Sequence, residues 1–227
     1  MTRTRFQQGL DELRTKLLAM GGMAEQAIEL AVRALTERDE KAAQQVLEHE
    51  QDINTIERDI DELGFDLLAM QQPMAVDLRF ILAIIKINAD LERVGDQAVN
   101  VAQRALDLMQ FPPVELPIDL ARMAEIASDM VRTALESFLA GDADRAQGVL
   151  ETDDQVDRMN REIFTVVSSA IKEQPEMARQ ALDTLIVARN LERIADHATN
   201  IAEDVIFWKR GFDVRHSFPH AQLKVSS

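Results

Sequence analysis

The sequence predicts an all-α protein, organised as two tandem three-helix bundles that are related by internal duplication. Helical apolar periodicity runs through most of the 227 residues, and the chain has only 8 glycines and 6 prolines. The stretch DLERVGDQAVN (90–100) returns as NLERIADHATN (190–200), with 6 of 11 positions identical. Other features recur at offsets of about 100 to 103, a drift typical of tandem duplication.

Prolines and capping residues set the expected boundaries of the helices. Asp39 is placed to cap the second helix, Pro73 separates the second from the third, and Gly141-Asp142 closes the fourth and caps the fifth. Pro175 restarts the chain before the sixth helix. The helices are expected over about 5–36, 39–72, 75–109, 119–140, 142–174 and 175–209.

The domain plan follows from these boundaries. It comprises a first repeat (1–110), a proline-rich linker FPPVELP (111–117), a second repeat (118–211) and a tail (212–227). The tail loses the helical period and is interpreted as a flexible terminus, with a partner-binding arm as the alternative.

Composition excludes several classes of function. The net charge of −15 argues against a nucleic-acid partner, and the lack of cysteine excludes disulfides and thiolate metal sites. No apolar run is long enough for a signal peptide or a membrane span, so a soluble, cytoplasmic protein is expected. With no Gly-rich phosphate loop and no Gly-x-Ser-x-Gly elbow, no catalytic residue is assigned.

Paired acids recur at the edge of the apolar stripes. Glu92 and Asp96 share one helix face, and Glu192 and Asp196 repeat the arrangement, each pair one turn apart. Because the helices around each proline are antiparallel, oxygen-bearing pairs on helices two and five should meet them at the same level. Those facing residues are Glu50, Asn54, Asp153 and Asp157. The side of helix three opposite its apolar stripe carries Lys86, Arg93, Gln97 and Arg104.

Two interpretations of these acids remain open. They are either surface charges neutralised by Arg93 and Arg193, or ligands of a cation, and their repetition in both units favours the cation. Carboxylate and amide oxygens suit Mg, Mn, Ca or oxygen-ligated Fe. A di-iron oxidase is disfavoured, since no Glu-x-x-His motif is present and His197 projects away from Asp196. Asn100 and Asn200 fit equally as ligands or as caps.

The motifs together resemble the PhoU family, the accessory proteins of the phosphate-specific transport system. The resemblance lies in QQPMAVDLRFILAIIKINADLERVGDQAVNVA (71–102), in NLERIADHATNIAED (190–204) and in VLEHEQDIN (46–54). It implies two three-helix bundles that carry multinuclear clusters of divalent or trivalent metal ions (Fe, Zn, Mn or Mg). It also implies a homodimer without enzymatic activity, held near the inner membrane by its partners.

The function implied by the resemblance is negative regulation of the phosphate-starvation response. The regulator would link the ATPase subunit of the phosphate ABC transporter to a sensor histidine kinase. Carried over by position, the metal ligands are Glu50, Asn54, Glu92 and Asp96 in the first repeat, and Asp153, Asp157, Glu192 and Asp196 in the second. Asn54 departs from the acidic motif and leaves the first site one charge short. The alternatives are a carboxylate-bridged metalloenzyme and a metal-free interaction bundle.

Overall fold

The computed structural model describes residues 2–71, 73–113 and 116–214, which form six long α-helices and no strand. A short 3-10 helix, Pro175–Met177, precedes the last of them. The helices are α1 (Thr2–Glu37), α2 (Glu40–Gln71), α3 (Ala75–Met109), α4 (Leu120–Ala140), α5 (Ala143–Glu173) and α6 (Ala178–Arg210). The predicted all-α plan of two three-helix repeats is confirmed, whereas most of the predicted flexible tail, 215–227, lies outside the described residues.

Equivalent turns of the two repeats use different residues. Gly141 ends α4 with φ 62, and Asp142 accepts backbone N–H bonds from Asp144 and Arg145 at 3.0 Å. In the first repeat the left-handed position is Arg38, with φ 55, and Asp39 accepts from the N–H of Ala42 at 3.1 Å. Both predicted caps are confirmed. Since a left-handed backbone is costly for a residue other than glycine, Arg38 needs compensation.

That compensation comes from the Arg38 side chain. Its guanidinium donates to the carbonyl oxygens of Leu108, Met109 and Phe111 at 3.2, 2.9 and 2.8 Å. Leu108 and Met109 end α3 and Phe111 follows it, so their carbonyls have few donors from the helix itself. Arg38 therefore closes the turn between α1 and α2 and caps the last turn of α3.

The apolar stripes of all six helices form one continuous core. Leu13, Leu17 and Met20 of α1 are fully buried, as are Ile84 and Ile87 of α3. Each helix therefore buries one face, and about 1.5–3 kcal/mol per large buried aliphatic side chain favours the folded state.

An aromatic cluster closes the core at one end of the molecule. Phe80 of α3, Phe138 of α4 and Trp208 of α6 lie with their ring centroids 5.0 to 5.8 Å apart. The cluster joins the two repeats at this end, because Phe80 belongs to the first repeat and the other two rings to the second.

Helices α3 and α6 pack against each other in antiparallel fashion and form the centre of the molecule. Lys86 Nζ lies 3.3 Å from Asp204 Oδ1, and Arg104 lies 3.2 Å from Asp183 Oδ1. The polar side of α3 that the sequence places opposite the apolar stripe thus faces the second repeat. In the described part of the chain, no helix is both long and apolar enough to cross a membrane.

Candidate metal centre

The second repeat brings four carboxylates together between α5 and α6. Asp153 and Asp157 are half-buried on α5, Glu192 is buried on α6, and Asp196 is exposed on the same helix. Their spacing of four residues places each pair on one helix face, and the antiparallel hairpin turns the two faces towards each other. We call these four residues the α5/α6 acidic cluster.

Burial and mutual repulsion raise the pKa values of Asp153, Glu192 and Asp196 in this cluster. Burial, followed by the charges of Asp196 and Asp157, raises the pKa of Asp153 to about 6. Burial and the Asp196 charge raise the pKa of Glu192, and burial and the Asp157 charge raise that of Asp196. Each of these shifts disfavours the charged form of the carboxylate. At neutral pH the negative charge of the cluster is therefore not fully neutralised by its surroundings.

Two arginines supply part of that charge. Arg189 lies 2.5 Å from Glu192 Oε1, and Arg161 lies 3.3 Å from Asp157 Oδ2. The second oxygen of Glu192, Oε2, is buried and has no hydrogen-bond partner. A buried carboxylate oxygen without a donor is energetically costly and marks a place where a cation would be favourable.

The donor set fits a hard cation. It offers carboxylate oxygens only, which suit Mg²⁺, Mn²⁺, Ca²⁺ or oxygen-ligated iron. Within the described ranges, no three His, Asp or Glu side chains converge closely enough to hold an ion as they stand. Such an ion would therefore need rotamer changes that draw Asp153, Asp157, Glu192 and Asp196 inward, and its charge would offset their repulsion.

The first repeat has an acidic cluster between α2 and α3. Burial and the charges of Asp96 and Glu57 raise the pKa of Glu92, and burial raises that of Asp96. Asn54 and Glu50 are half-buried on α2 in the same face of the hairpin. Glu57 is the α2 carboxylate whose charge acts on Glu92. Its position, three residues after Asn54, is visible in the sequence, but it falls outside the four-residue spacing that predicts the other ligands.

A polar network that the sequence did not predict lies beside both clusters, between α3 and α6. Asp90 accepts from Asn200 Nδ2 at 3.1 Å and lies 2.9 Å from His197 Nδ1, and all three side chains are at least partly buried. Asn200 therefore forms a hydrogen bond across the interface between the repeats. This contact supports neither of the two roles expected for it, a cation ligand or a cap. Arg93, the expected counter-charge, lies 3.8 Å from Asp90 and also lowers the pKa of Glu92.

The fold and paired acidic clusters define a class of helical, duplicated proteins, and comparison with known sequences identifies the family. The model of the PhoU domain matches residues 17–105 and again 120–205. The PhoU homologue of Pseudomonas putida, a phosphate-specific transport system accessory protein, is 42% identical over 214 residues, 93% of this chain and 83% of that protein. The homologue of Caulobacter vibrioides is 35% identical and covers 94% of each chain. The chain belongs to the PhoU family.

Solved structures agree with this assignment. The crystal structure of PhoU from Pseudomonas aeruginosa superposes with a TM-score of 0.87 at 41% identity, over 91% of this chain and all of that one. The phosphate transport system regulatory protein PhoU from Streptococcus pneumoniae gives a TM-score of 0.81 at 26% identity, over 92% and 99%. The six-helix arrangement is therefore shared with experimentally determined members of the family.

Proposed function

We propose that this protein is a metal-binding regulatory adaptor of phosphate uptake. It acts as a negative regulator of the phosphate-starvation response by linking the ATPase subunit of the phosphate ABC transporter to a sensor histidine kinase. The observation that carries the proposal is the duplicated helical fold with a paired acidic cluster in each repeat. Relatives with 42% and 35% identity are named accessory proteins of phosphate transport, which supports the same role.

The adaptor role suits the chemistry of the surface. Arg161 and Arg189 pair with Asp157 and Glu192, so part of the cluster's charge is already neutralised by neighbouring side chains. Glu50, Asn54, Glu92 and Asp96 form the proposed first site, with Glu57 added. Asp153, Asp157, Glu192 and Asp196 form the second. Bound cations would neutralise the like charges and join α2 to α3 and α5 to α6.

We further propose that the protein acts as a homodimer in the cytoplasm, near the inner membrane through its partners. This location requires no membrane span in the chain itself, because the transporter and the kinase would provide the attachment. Analytical ultracentrifugation at micromolar concentration tests the dimer: a single species of about 25.6 kDa would contradict it.

Binding and signalling experiments test the adaptor role. The purified protein is immobilised and exposed separately to the transporter ATPase subunit and to the cytoplasmic part of the kinase, with and without Mn²⁺. In a bacterial host that lacks its own PhoU, the wild-type chain should restore repression of a phosphate-starvation reporter in high phosphate. Binding to neither protein, together with failure to restore repression, would reject the proposal.

The matched variants separate a regulator from its alternatives. Replacing all four acids of the α5/α6 acidic cluster by their amides should weaken repression, whereas Asp66→Asn, an exposed acid of α2, should not. Unchanged repression would favour a metal-free interaction bundle. Metal-dependent turnover of phosphate esters by the wild type, lost in the amide variant, would favour a metalloenzyme.

A further inference from the structure

A groove between α5 and α6 exposes large apolar side chains on one face of the second repeat. Phe164 is 62% exposed, Leu182 51% and Ile186 43%. Together with Leu185 they line a concavity of about 850 Å³. Large apolar side chains are seldom grouped in this way on a soluble protein unless another molecule covers them.

The first repeat provides an internal reference for this face. Phe164 corresponds to Asp61, which accepts a hydrogen bond from Asn88 at 3.0 Å, and Ile186 corresponds to Lys86, which pairs with Asp204. The duplicated scaffold therefore folds with charged residues at both positions. The apolar side chains of the second repeat are not required by the three-helix bundle itself.

The rim of the groove is basic. Among the described residues that line it are Arg161, Arg189 and Arg193, with no Asp or Glu. Arg161 and Arg189 also pair with Asp157 and Glu192 of the α5/α6 acidic cluster, but their side chains stay 66% and 56% exposed, so they can still reach acids of a bound molecule. At physiological ionic strength the screening length is about 8 Å. A molecule bound in the groove therefore interacts mainly with these arginines and much less with charges elsewhere on the surface.

We infer that the groove is a docking site for an amphipathic helix of a partner protein, with an apolar stripe flanked by Glu and Asp. The lining residues of α6 run from Leu182 to Arg193, about 17 Å at 1.5 Å per residue, which matches three turns of a partner helix. The apolar stripe would enter between α5 and α6, as in other helix-in-groove complexes. Acids on both edges of the stripe would pair with the arginines of the rim.

Two other occupants fit less well. A second copy docked groove to groove would place the same arginines opposite each other, because a twofold interface pairs identical patches. An anionic membrane would be repelled by a strongly acidic protein. The surface is also concave, whereas apolar residues that enter a membrane protrude from the protein. The inference concerns a surface next to the α5/α6 acidic cluster and needs no cation in it.

A display library of helical peptides tests the site on the full chain. Peptides of about 16 residues, randomised in an amphipathic pattern, are selected against the wild-type protein, and their affinities are measured by fluorescence anisotropy. The enriched sequences should carry Leu, Ile or Phe at i, i+3 or i+4 spacing with an excess of Glu and Asp. The double variant Phe164→Asp/Ile186→Lys, which copies the first repeat, should bind them at least tenfold more weakly.

Controls distinguish this result from a general loss of apolar surface. Phe65→Asp, at a 58% exposed position of α2, should leave the affinity unchanged, and Arg161→Glu should weaken it by several-fold. The inference is overturned if no peptide is enriched, if the enriched peptides lack acids, or if they bind the double variant as tightly as the wild type. It is also overturned if the double variant loses self-association, or loses binding to vesicles containing phosphatidylglycerol, in place of peptide binding. The assay uses this protein alone, so its failure leaves the adaptor proposal to be decided by the transporter and kinase experiments.

Discussion

The two repeats share one backbone plan but differ in how they balance charge. The second has four carboxylates between α5 and α6, and burial together with the charges of Asp196 and Asp157 raises the pKa of Asp153 to about 6. The first has Asn54 at the position of Asp157, and the acid that acts on Glu92 is Glu57. Glu57 corresponds to Asn160, so duplication preserved the helices and the number of acids in each hairpin, while the position of one acid changed.

The two ends of the molecule also differ in how their side chains pack. Phe80, Phe138 and Trp208 fill one end with stacked and tilted rings. Their counterparts at the other end are Gln180, Leu35 and Leu108, which line a cavity of about 310 Å³ against the linker. Large rings close one end by packing, whereas the smaller side chains of the other end leave space that the linker borders.

The largest expected effect concerns cation binding. The double variant Glu192→Gln/Asp196→Asn removes two of four charges, so Mn²⁺ affinity of the second repeat should fall about a hundredfold, or 2.8 kcal/mol. Glu92→Gln/Asp96→Asn should leave that affinity intact. Equilibrium dialysis with elemental analysis measures both, with circular dichroism as a check of helicity. Equal binding by both double variants would remove the contrast between the repeats.

The network between the repeats gives the next effect. Asp90→Ala leaves Asn200 Nδ2 and His197 Nδ1 without their acceptor in a largely buried interface, so the free energy of unfolding should fall by about 2 kcal/mol. Asn190, the counterpart of Asp90, bonds within its own helix, to the Ile186 carbonyl at 2.7 Å. Asn190→Ala should cost only about 1 kcal/mol. Urea denaturation compares the two variants, and equal losses would show that the crossing bonds add nothing.

Burial and repulsion of Asp153 in the α5/α6 acidic cluster give a pH-dependent effect. Because the folded pKa of Asp153 lies above its ordinary value of 3.8, this group favours folding below that value, and its contribution is lost as the pH rises through about 6. Asp153→Asn should therefore raise the free energy of unfolding by about 1 kcal/mol at pH 7.5 without metal, since hydration reduces the full effect. The gain should vanish near pH 4.

The pH series has its own control. Asp66→Asn removes an exposed acid and should shift stability little at either pH. A gain for Asp153→Asn that persists at pH 4 would point to a packing effect in place of charge repulsion.

The smallest effect tests whether an acid at position 54 strengthens cation binding by the first repeat. In the Glu192→Gln/Asp196→Asn background, Asn54→Asp should tighten Mn²⁺ binding about threefold and lower metal-free stability by a few tenths of a kcal/mol. Isothermal titration calorimetry measures the change. Asn54→Gln, which adds no charge, serves as control; if it tightens binding as much as Asn54→Asp, charge is not the cause.

Local patterns determined most of the fold. Apolar periodicity, the caps at Asp39 and Asp142 and the breaks at Pro73 and Pro175 are properties of neighbouring residues, so helices and repeats follow directly from the sequence. The same holds for the acid pairs on α3 and α6, because a spacing of four residues places both on one face whatever the helix packs against.

Only the tertiary structure decided what lies opposite these residues. It placed Glu57 near Glu92, paired Arg189 with Glu192, and joined Asp90 to His197 and Asn200 across the two repeats. It also left Phe164 and Ile186 uncovered, although helical periodicity alone treats them as ordinary apolar positions. The physical reason is that periodicity gives the direction of a side chain on its own helix, whereas contacts depend on the relative position and rotation of two helices.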